Sequence, residues 1–126
     1  MRTVLDASAL LALLNSEVGG DSVMEVLAEA VISSVNHSEV IAKLAEGGLP
    51  EFAIHQTLDA LALEVLPFDV NQSYLAGMLR VDTRSAGLSL GDRACLALAH
   101  SLQLPVLTTD RSWSRMNLGI EVQVIR

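Results

Sequence analysis

Four acidic side chains stand at positions where carboxylates can act together. Asp6 and Asp110 each follow a short apolar segment that is predicted as a strand. Glu39 lies in the first predicted turn of the helix after the second strand, and Asp92 lies in the first predicted turn of a later helix. Gaps of 33, 53 and 18 residues separate the four acids in chain order, and each gap has room for one or more strand–helix units.

Carboxylates that share one cleft repel each other, so they cannot all stay ionised without help. A hard divalent cation removes this repulsion, and a set of oxygen ligands suits Mg²⁺ or Mn²⁺. Such a metal generates hydroxide from water and neutralises charge on a phosphoryl group. The four acids therefore predict metal-assisted hydrolysis of a phosphodiester, and without metal at least one of them should have a raised pKa.

Each acid also has a purely structural interpretation, which is the stronger one when that residue is taken alone. These interpretations are a helix cap at Asp6, a capping box from Asn36 to Glu39 with an ion pair from Glu39 to Lys43, a cap formed by Ser89 and Asp92, and a turn opened by Asp110. The joint placement of the four acids is what favours a site.

The elements that must position these acids alternate between strands and helices. The predicted strands are Thr3–Leu5, Val31–Val35, Glu64–Leu66, Pro105–Thr108 and Glu121–Ile125. The predicted helices are Ser8–Leu14, Asp21–Ala30, Asn36–Ala45, Pro50 to about Leu63, Val70–Val81 and Gly91–Leu102, with a loop at Ser85–Gly91. This alternation predicts an α/β fold with a parallel sheet covered on both faces. Ligands of such sheets bind outside the carboxyl ends of the strands, where the four acids are expected.

Composition limits the class of protein. The chain has 126 residues, of which 51% are apolar and only 3% aromatic, so it can build one aliphatic core but not an RNA-binding surface of stacked aromatics. Its single cysteine, Cys95, excludes an internal disulfide and a cysteine-based zinc site, which points to a reducing, cytoplasmic location. No apolar run approaches the length of a membrane span, so no membrane partner is expected.

Charge is distributed unevenly along the chain. The formal net charge is −7, which by itself argues against nucleic acid as a partner. Residues 1–69 hold eleven acids and two bases, whereas residues 70–126 hold four acids and six bases, all of them arginine. Since arginine pairs well with phosphate, four of these residues are candidates for RNA contact. They are Arg84, Arg93, Arg111 and Arg115.

Four sequence blocks resemble those of a known family. The segments VLDASALLALL, VNHSEVIAKL, SLGDRACLALA and VLTTDRSW resemble the four acidic blocks of PIN-domain ribonucleases, and the compact length resembles the VapC toxins of bacterial toxin–antitoxin pairs. The resemblance covers nearly the whole chain. It implies one PIN domain over residues 1–126, with a Rossmann-like three-layer α/β/α fold and a short, mostly parallel sheet.

The resemblance also implies a site and an activity. Asp6, Glu39, Asp92 and Asp110 would hold Mg²⁺, with Mn²⁺ as a substitute, and Glu39 would be either a ligand or the base that acts on water. Ser8 and Thr109 would place hydroxyl groups beside the acids. The implied function is a Mg²⁺-dependent endoribonuclease that forms a homodimer and is neutralised by a small antitoxin protein.

Other classes match the sequence less well. A phosphorylation receiver domain needs a lysine late in the chain, and the only lysine is Lys43. A dehalogenase-type phosphatase needs Asp-x-Asp after the first strand, where this chain has Asp6, Ala7 and Ser8. The remaining alternative is a PIN-like module that binds RNA or protein without nuclease activity, which a nuclease assay with and without Mg²⁺ would distinguish.

Overall fold

The centre of the molecule is a five-stranded parallel sheet. The computed structural model describes residues 2–126. The strands are β1 (Thr3–Leu5), β2 (Ala30–Ser33), β3 (Glu64–Leu66), β4 (Val106–Thr108) and β5 (Val122–Val124). They lie in the order β3-β2-β1-β4-β5, and every neighbouring pair is parallel. The α/β fold predicted from the sequence is confirmed, and the sheet is parallel throughout these strands.

Helices connect the strands and cover both faces of the sheet. They are α1 (Ala7–Leu14), α2 (Gly20–Val26), α3 (Ser34–Glu46), α4 (Glu51–Ala60), α5 (Val70–Asp82) and α6 (Leu90–Leu102), with short 3₁₀ helices at Leu27–Glu29, Arg84–Ala86 and Arg111–Arg115. Within residues 2–126 no helix is both long and apolar enough to cross a membrane.

Two apolar clusters fill the space between the sheet and its two helical layers. Val4 belongs to one cluster and Leu5 to the other, because successive strand residues point to opposite faces. The Val4 cluster includes Trp113 and Cys95, both fully buried, as expected for packing residues. Burial raises the pKa of the Cys95 thiol well above its usual value, so this cysteine remains protonated. The two clusters account for the three-layer arrangement.

The second strand and the helix after it differ from the prediction. The strand ends at Ser33 instead of Val35, because the Ser33 hydroxyl accepts a hydrogen bond from the Val35 amide and caps α3. Glu39 therefore lies in the second turn of α3, not the first, and the predicted capping box from Asn36 to Glu39 is wrong. The predicted ion pair of Glu39 with Lys43 is also not formed, since no nitrogen–oxygen contact within 4.0 Å joins these two described residues.

The strand order places three chain segments at one edge of the sheet. β1 is the central strand, with β2 and β4 on its two sides, and Leu5 is in register with Ile32 and Leu107. The residues that follow these three strands therefore emerge at the same level of the same edge. This edge receives Asp6 directly after β1, the start of α3 after β2, and the segment that carries Asp110 after β4.

Candidate metal centre

The four predicted acids line one cavity at this edge of the sheet. The cavity has a volume of about 250 Å³. Its lining consists of Asp6, Ala7, Ser8, Leu11, Asn36, Glu39, Lys43, Asp92 and Asp110. Asp6 lies in the protein interior, Asp92 is half-buried, and Glu39 and Asp110 are exposed at the rim. The structure thus brings together four acids that are up to 104 positions apart in the chain.

Asp6 is a buried carboxylate with three hydrogen-bond donors. Its Oδ1 accepts from the Ala9 amide at 2.8 Å and from the Ser8 hydroxyl at 2.7 Å, and its Oδ2 accepts from the Thr108 hydroxyl at 2.6 Å. The first of these bonds caps α1, so the structural interpretation of Asp6 holds as well. Burial raises the pKa of Asp6 despite these donors, and the negative charge of Asp92 raises it further.

Two hydroxyl groups connect Asp6 to the chain segment that carries Asp110. The Ser8 hydroxyl donates to Asp6 and accepts from the Thr109 amide at 3.1 Å. The Thr108 hydroxyl donates to Asp6 and accepts from the Asp110 amide at 3.0 Å. Each hydroxyl therefore uses its proton on the carboxylate and a lone pair on the backbone, which fixes the distance between Asp6 and Asp110.

The sequence points to Thr109, but Thr108 makes the contact with Asp6. Thr109 contributes its backbone amide, and its hydroxyl forms no hydrogen bond with the part of the chain that the structure describes. The cause is the register of β1 with β4, because the pairing of Leu5 with Leu107 places Asp6 level with Thr108. Thr108 is absent from the site residues predicted from the sequence, and the signal for it is the adjacency of β1 and β4.

Asp92 and Asp110 each combine a capping role with a place in the cavity. Asp92 forms a capping box at the start of α6, in which its Oδ2 accepts from the Ser89 amide at 3.0 Å and its own amide donates to the Ser89 hydroxyl at 3.1 Å. Asp110 caps the 3₁₀ helix Arg111–Arg115, and its Oδ1 accepts from the amide and the hydroxyl of Ser112. The caps hold each carboxylate through one oxygen.

The Glu39 carboxylate is also held through one oxygen, by the side chain of Asn36, which the sequence predicts as a helix cap. Asn36 is 1% exposed, and its Nδ2 donates to Glu39 Oε1 at 3.0 Å and to the Gly91 carbonyl at 2.9 Å. Asn36 thus connects α3 to the first turn of α6, next to Asp92. Its spacing to Glu39, three residues along one helix, is the signal by which it can be recognised.

The donor atoms that line the cavity are carboxylate and hydroxyl oxygens, the atom types that a hard divalent cation prefers. Glu39 Oε2, Asp92 Oδ1 and Asp110 Oδ2 form no hydrogen bond with any described residue, while the second oxygen of each carboxylate is anchored. All-oxygen sets of this kind suit Mg²⁺ or Mn²⁺. Within residues 2–126, no group of three or more His, Cys, Asp or Glu side chains is close enough to enclose a metal ion.

The four candidate arginines do not behave alike. Arg84, Arg111 and Arg115 are exposed, and Arg111 directly follows Asp110. Arg93 is half-buried and its guanidinium donates to the Ala76 carbonyl at 2.9 Å, so it joins α6 to α5. Three of the four are therefore accessible to a ligand, whereas Arg93 is occupied within the fold.

Two larger cavities contain none of the four acids. One, of about 650 Å³, lies between α3, α4 and β3 and is lined mainly by apolar side chains. The other, of about 690 Å³, lies between the C-terminal parts of α5 and α6 and the segment from Arg115 to Leu118. Neither cavity offers a set of oxygen ligands comparable with the acidic cavity.

Comparisons with known proteins agree with this fold. Residues 3–118 match the PIN domain, and the chain therefore belongs to the PIN-domain family. A comparison with curated protein sequences gives no significant match. The PIN-domain match alone therefore shows the family of this chain.

Several solved structures share the fold at low identity. The chain resembles DNA-bound VapBC from Salmonella typhimurium, with a TM-score of 0.78, 21% identity and coverage of 100% of this chain and 99% of that chain. It resembles VapBC2 from Rickettsia felis, solved with a promoter DNA fragment, with a TM-score of 0.77, 17% identity and 98% coverage of both chains. It also resembles VapBC-5 from Mycobacterium tuberculosis, a member of a family of toxin–antitoxin systems, with a TM-score of 0.59, 25% identity and coverage of 99% and 98%.

Proposed function

We propose that this PIN-domain protein is a Mg²⁺-dependent endoribonuclease and the toxin of a toxin–antitoxin pair. The observation that carries the proposal is the convergence of Asp6, Glu39, Asp92 and Asp110 on one cavity at the carboxyl edge of a parallel sheet. Solved relatives with the same fold are VapBC toxin–antitoxin proteins, which supports a small antitoxin as the partner of this chain.

The residues of the cavity have distinct roles in this proposal. Asp6, Asp92 and Asp110 would hold Mg²⁺, with Mn²⁺ as a substitute, directly or through water. A metal bound there supplies an activated water and neutralises charge on the phosphate. Glu39, exposed at the rim, is either a further ligand or the group that accepts a proton from the water.

Substrate binding is assigned to the exposed arginines. Arg84 and Arg115 are exposed and can pair with phosphate oxygens of RNA. Arg111 is also exposed, and it can do so through the guanidinium nitrogens that remain after its Nε donates to the Arg126 carbonyl at 3.3 Å. Asp110 and Arg111 are adjacent in the chain, which joins a metal-holding residue to a phosphate-binding one. An RNA backbone that contacts Arg111 is therefore brought towards the acidic cavity.

The test is a cleavage assay with a matched acid-to-amide pair. Asp6→Asn should abolish cleavage of total bacterial RNA, because the replacement removes the buried charge on which the metal site depends. Asp69→Asn, the same change at the exposed cap of α5, should cleave like the wild type. Wild-type cleavage should require Mg²⁺ or Mn²⁺, and cleavage in EDTA or by Asp6→Asn would contradict the proposal. An intact fold with no cleavage of RNA at all would favour a binding module instead.

We also propose that the protein forms a homodimer. The face that supports this is an apolar stripe on α5, formed by Val70, Tyr74, Met78 and Val81, all of them exposed. These residues are spaced to lie along one side of the helix.

A further inference from the structure

The Glu39 side chain is held in one position although it lies at the exposed rim of the acidic cavity. Glu39 is exposed, and a glutamate on an exposed helix face normally samples several rotamers. Here Asn36, one turn earlier on α3, donates from Nδ2 to Glu39 Oε1 at 3.0 Å. The same Nδ2 donates to the Gly91 carbonyl at 2.9 Å, so the anchor is itself fixed to α6.

The orientation of the Asn36 amide follows from its partners. Both groups near Nδ2 are oxygen acceptors, so turning the amide over would place Oδ1 against two oxygens. In the observed orientation Oδ1 is buried without any hydrogen-bond partner among the described residues. A buried amide oxygen left without a partner destabilises the fold, and such a group in a cavity lining indicates a role other than stability.

The residue at position 91 is a second observation, independent of Asn36, that concerns the position of the Glu39 carboxylate. A Cβ at Gly91 would overlap the Glu39 carboxylate, with Cδ and Oε1 both at 2.5 Å. Gly91 has no need of glycine for its backbone, because it lies inside α6 and is absent from the positions with positive φ. The missing side chain therefore makes room for Glu39.

We propose that Asn36 is the positioning residue of Glu39: it anchors one carboxylate oxygen over the hole that Gly91 leaves in α6, so that the three residues together set the affinity of the cavity for a divalent metal. This inference rests on the proposed function of the cavity and adds two residues to it. The hydrogen bond from Asn36 restricts the rotamers of Glu39 in the metal-free protein. Less conformational entropy is therefore lost when the carboxylate binds a metal.

Two variants test the position of Glu39, one by removing its hydrogen-bond donor and the other by filling the space that its carboxylate occupies. Asn36→Ala removes the anchor, and Gly91→Ala fills the space that the carboxylate occupies. The second variant should fold, because the three atoms nearest to the new methyl group all belong to the end of a flexible side chain. Gly77→Ala is the matched control, since a Cβ at Gly77 in α5 has no neighbour within 4 Å.

The primary measurement is Mg²⁺ binding by isothermal titration calorimetry on the metal-free protein. Asn36→Ala and Gly91→Ala should each weaken Mg²⁺ binding about tenfold, as is typical when the partner of a metal ligand is lost. RNA cleavage by both should recover at high Mg²⁺, while Gly77→Ala should match the wild type in binding and cleavage. In a Glu39→Gln background neither replacement should weaken binding further, because both act through the same carboxylate.

The outcomes separate this inference from the proposed function. A wild type that takes up no Mg²⁺ overturns both. A wild type that binds Mg²⁺ and cleaves RNA, with unchanged Mg²⁺ affinity in Gly91→Ala and in any folded Asn36→Ala protein, overturns the positioning role alone. So does a loss of affinity that is the same size in the Glu39→Gln background, which would indicate a general structural effect.

Discussion

Asp6 combines the deepest burial of the four acids with the most hydrogen bonds. Its 5% exposure removes the solvation that an ionised carboxylate has in water, and this raises its pKa even though three donors favour the charged form. A bound cation would compensate for the lost solvation. The sequence predicts a raised pKa from repulsion between acids, whereas the structure shows burial as the first cause and the charge of Asp92 as a minor one.

This raised pKa makes the stability of the metal-free protein depend on pH. The folded protein holds the Asp6 proton to higher pH than the unfolded chain, so the Asp6 contribution is fully present below the ordinary value of 3.8 and is lost as pH rises through the folded pKa. Relative to wild type, Asp6→Asn should therefore gain stability between pH 3 and pH 7. Urea unfolding in EDTA across this range measures the difference.

One result would contradict this pH dependence, and a second would contradict the proposed role of Asp6 in metal binding. A stability difference between Asp6→Asn and wild type that does not change with pH would show that Asp6 titrates alike in both states. At pH 7, Mg²⁺ should raise the stability of wild type more than that of the variant, because only the wild type retains the buried carboxylate that we propose as a metal ligand. Equal stabilisation of both proteins would separate Asp6 from the metal.

Among the secondary-structure elements, the ends of strands and the starts of helices determine the site. Asp6 and Asp110 each cap the element that follows, and Asp92 belongs to the capping box that begins its own helix, α6, so the same hydrogen bonds that begin a helix also fix a carboxylate. The structural and the functional interpretations of these acids, which compete in the sequence, are compatible in the fold. Capping uses one face of a carboxylate and leaves lone pairs for another partner.

The hydroxyl bridges between β1 and β4 provide a prediction about these elements. Thr108→Val keeps the shape but removes a buried donor to Asp6 and the acceptor for the Asp110 amide. It should lower the free energy of unfolding by about 1–3 kcal/mol and weaken Mg²⁺ binding. Thr109→Val is the control, and it should change neither quantity, because the Thr109 hydroxyl bonds to no described residue. The reverse ranking of the two variants would make Thr109 the hydroxyl that matters.

The sequence predicts the elements well but not the contacts that depend on strand order. The strands Thr3–Leu5 and Glu64–Leu66 are as predicted, because a residue that ends a strand follows each of them, Asp6 after the first and Pro67 after the second. The site contacts of Thr108 and Asn36 depend on which strands are neighbours and on how α3 packs on α6. Local sequence contains neither fact. The start of α3 is predicted at Asn36 instead of Ser34, because several polar residues near Ser33 could each serve as the N-cap.

For the whole molecule, the uneven charge distribution bears on both RNA binding and assembly. A net charge of −7 repels both RNA and a second copy of the chain, so each contact needs a region that is locally basic or neutral. The exposed arginines after residue 80 provide the locally basic region that RNA binding needs. Residues 70–81, which form most of α5, contain Arg80 as their one charged residue and provide the nearly neutral region that contact with a second copy needs.

We expect two copies of the chain to associate through the apolar stripe on α5. Its four members are 61–73% exposed, which leaves apolar surface in water that a second copy would cover. The double variant Tyr74→Lys with Met78→Lys should halve the mass that light scattering gives at micromolar concentration, because four like charges would then face each other across the interface. Phe52→Lys is the control, since Phe52 is 69% exposed on α4 and its replacement should leave the dimer intact. A monomeric wild type would contradict the homodimer, and a dimeric double variant would place its interface elsewhere than α5.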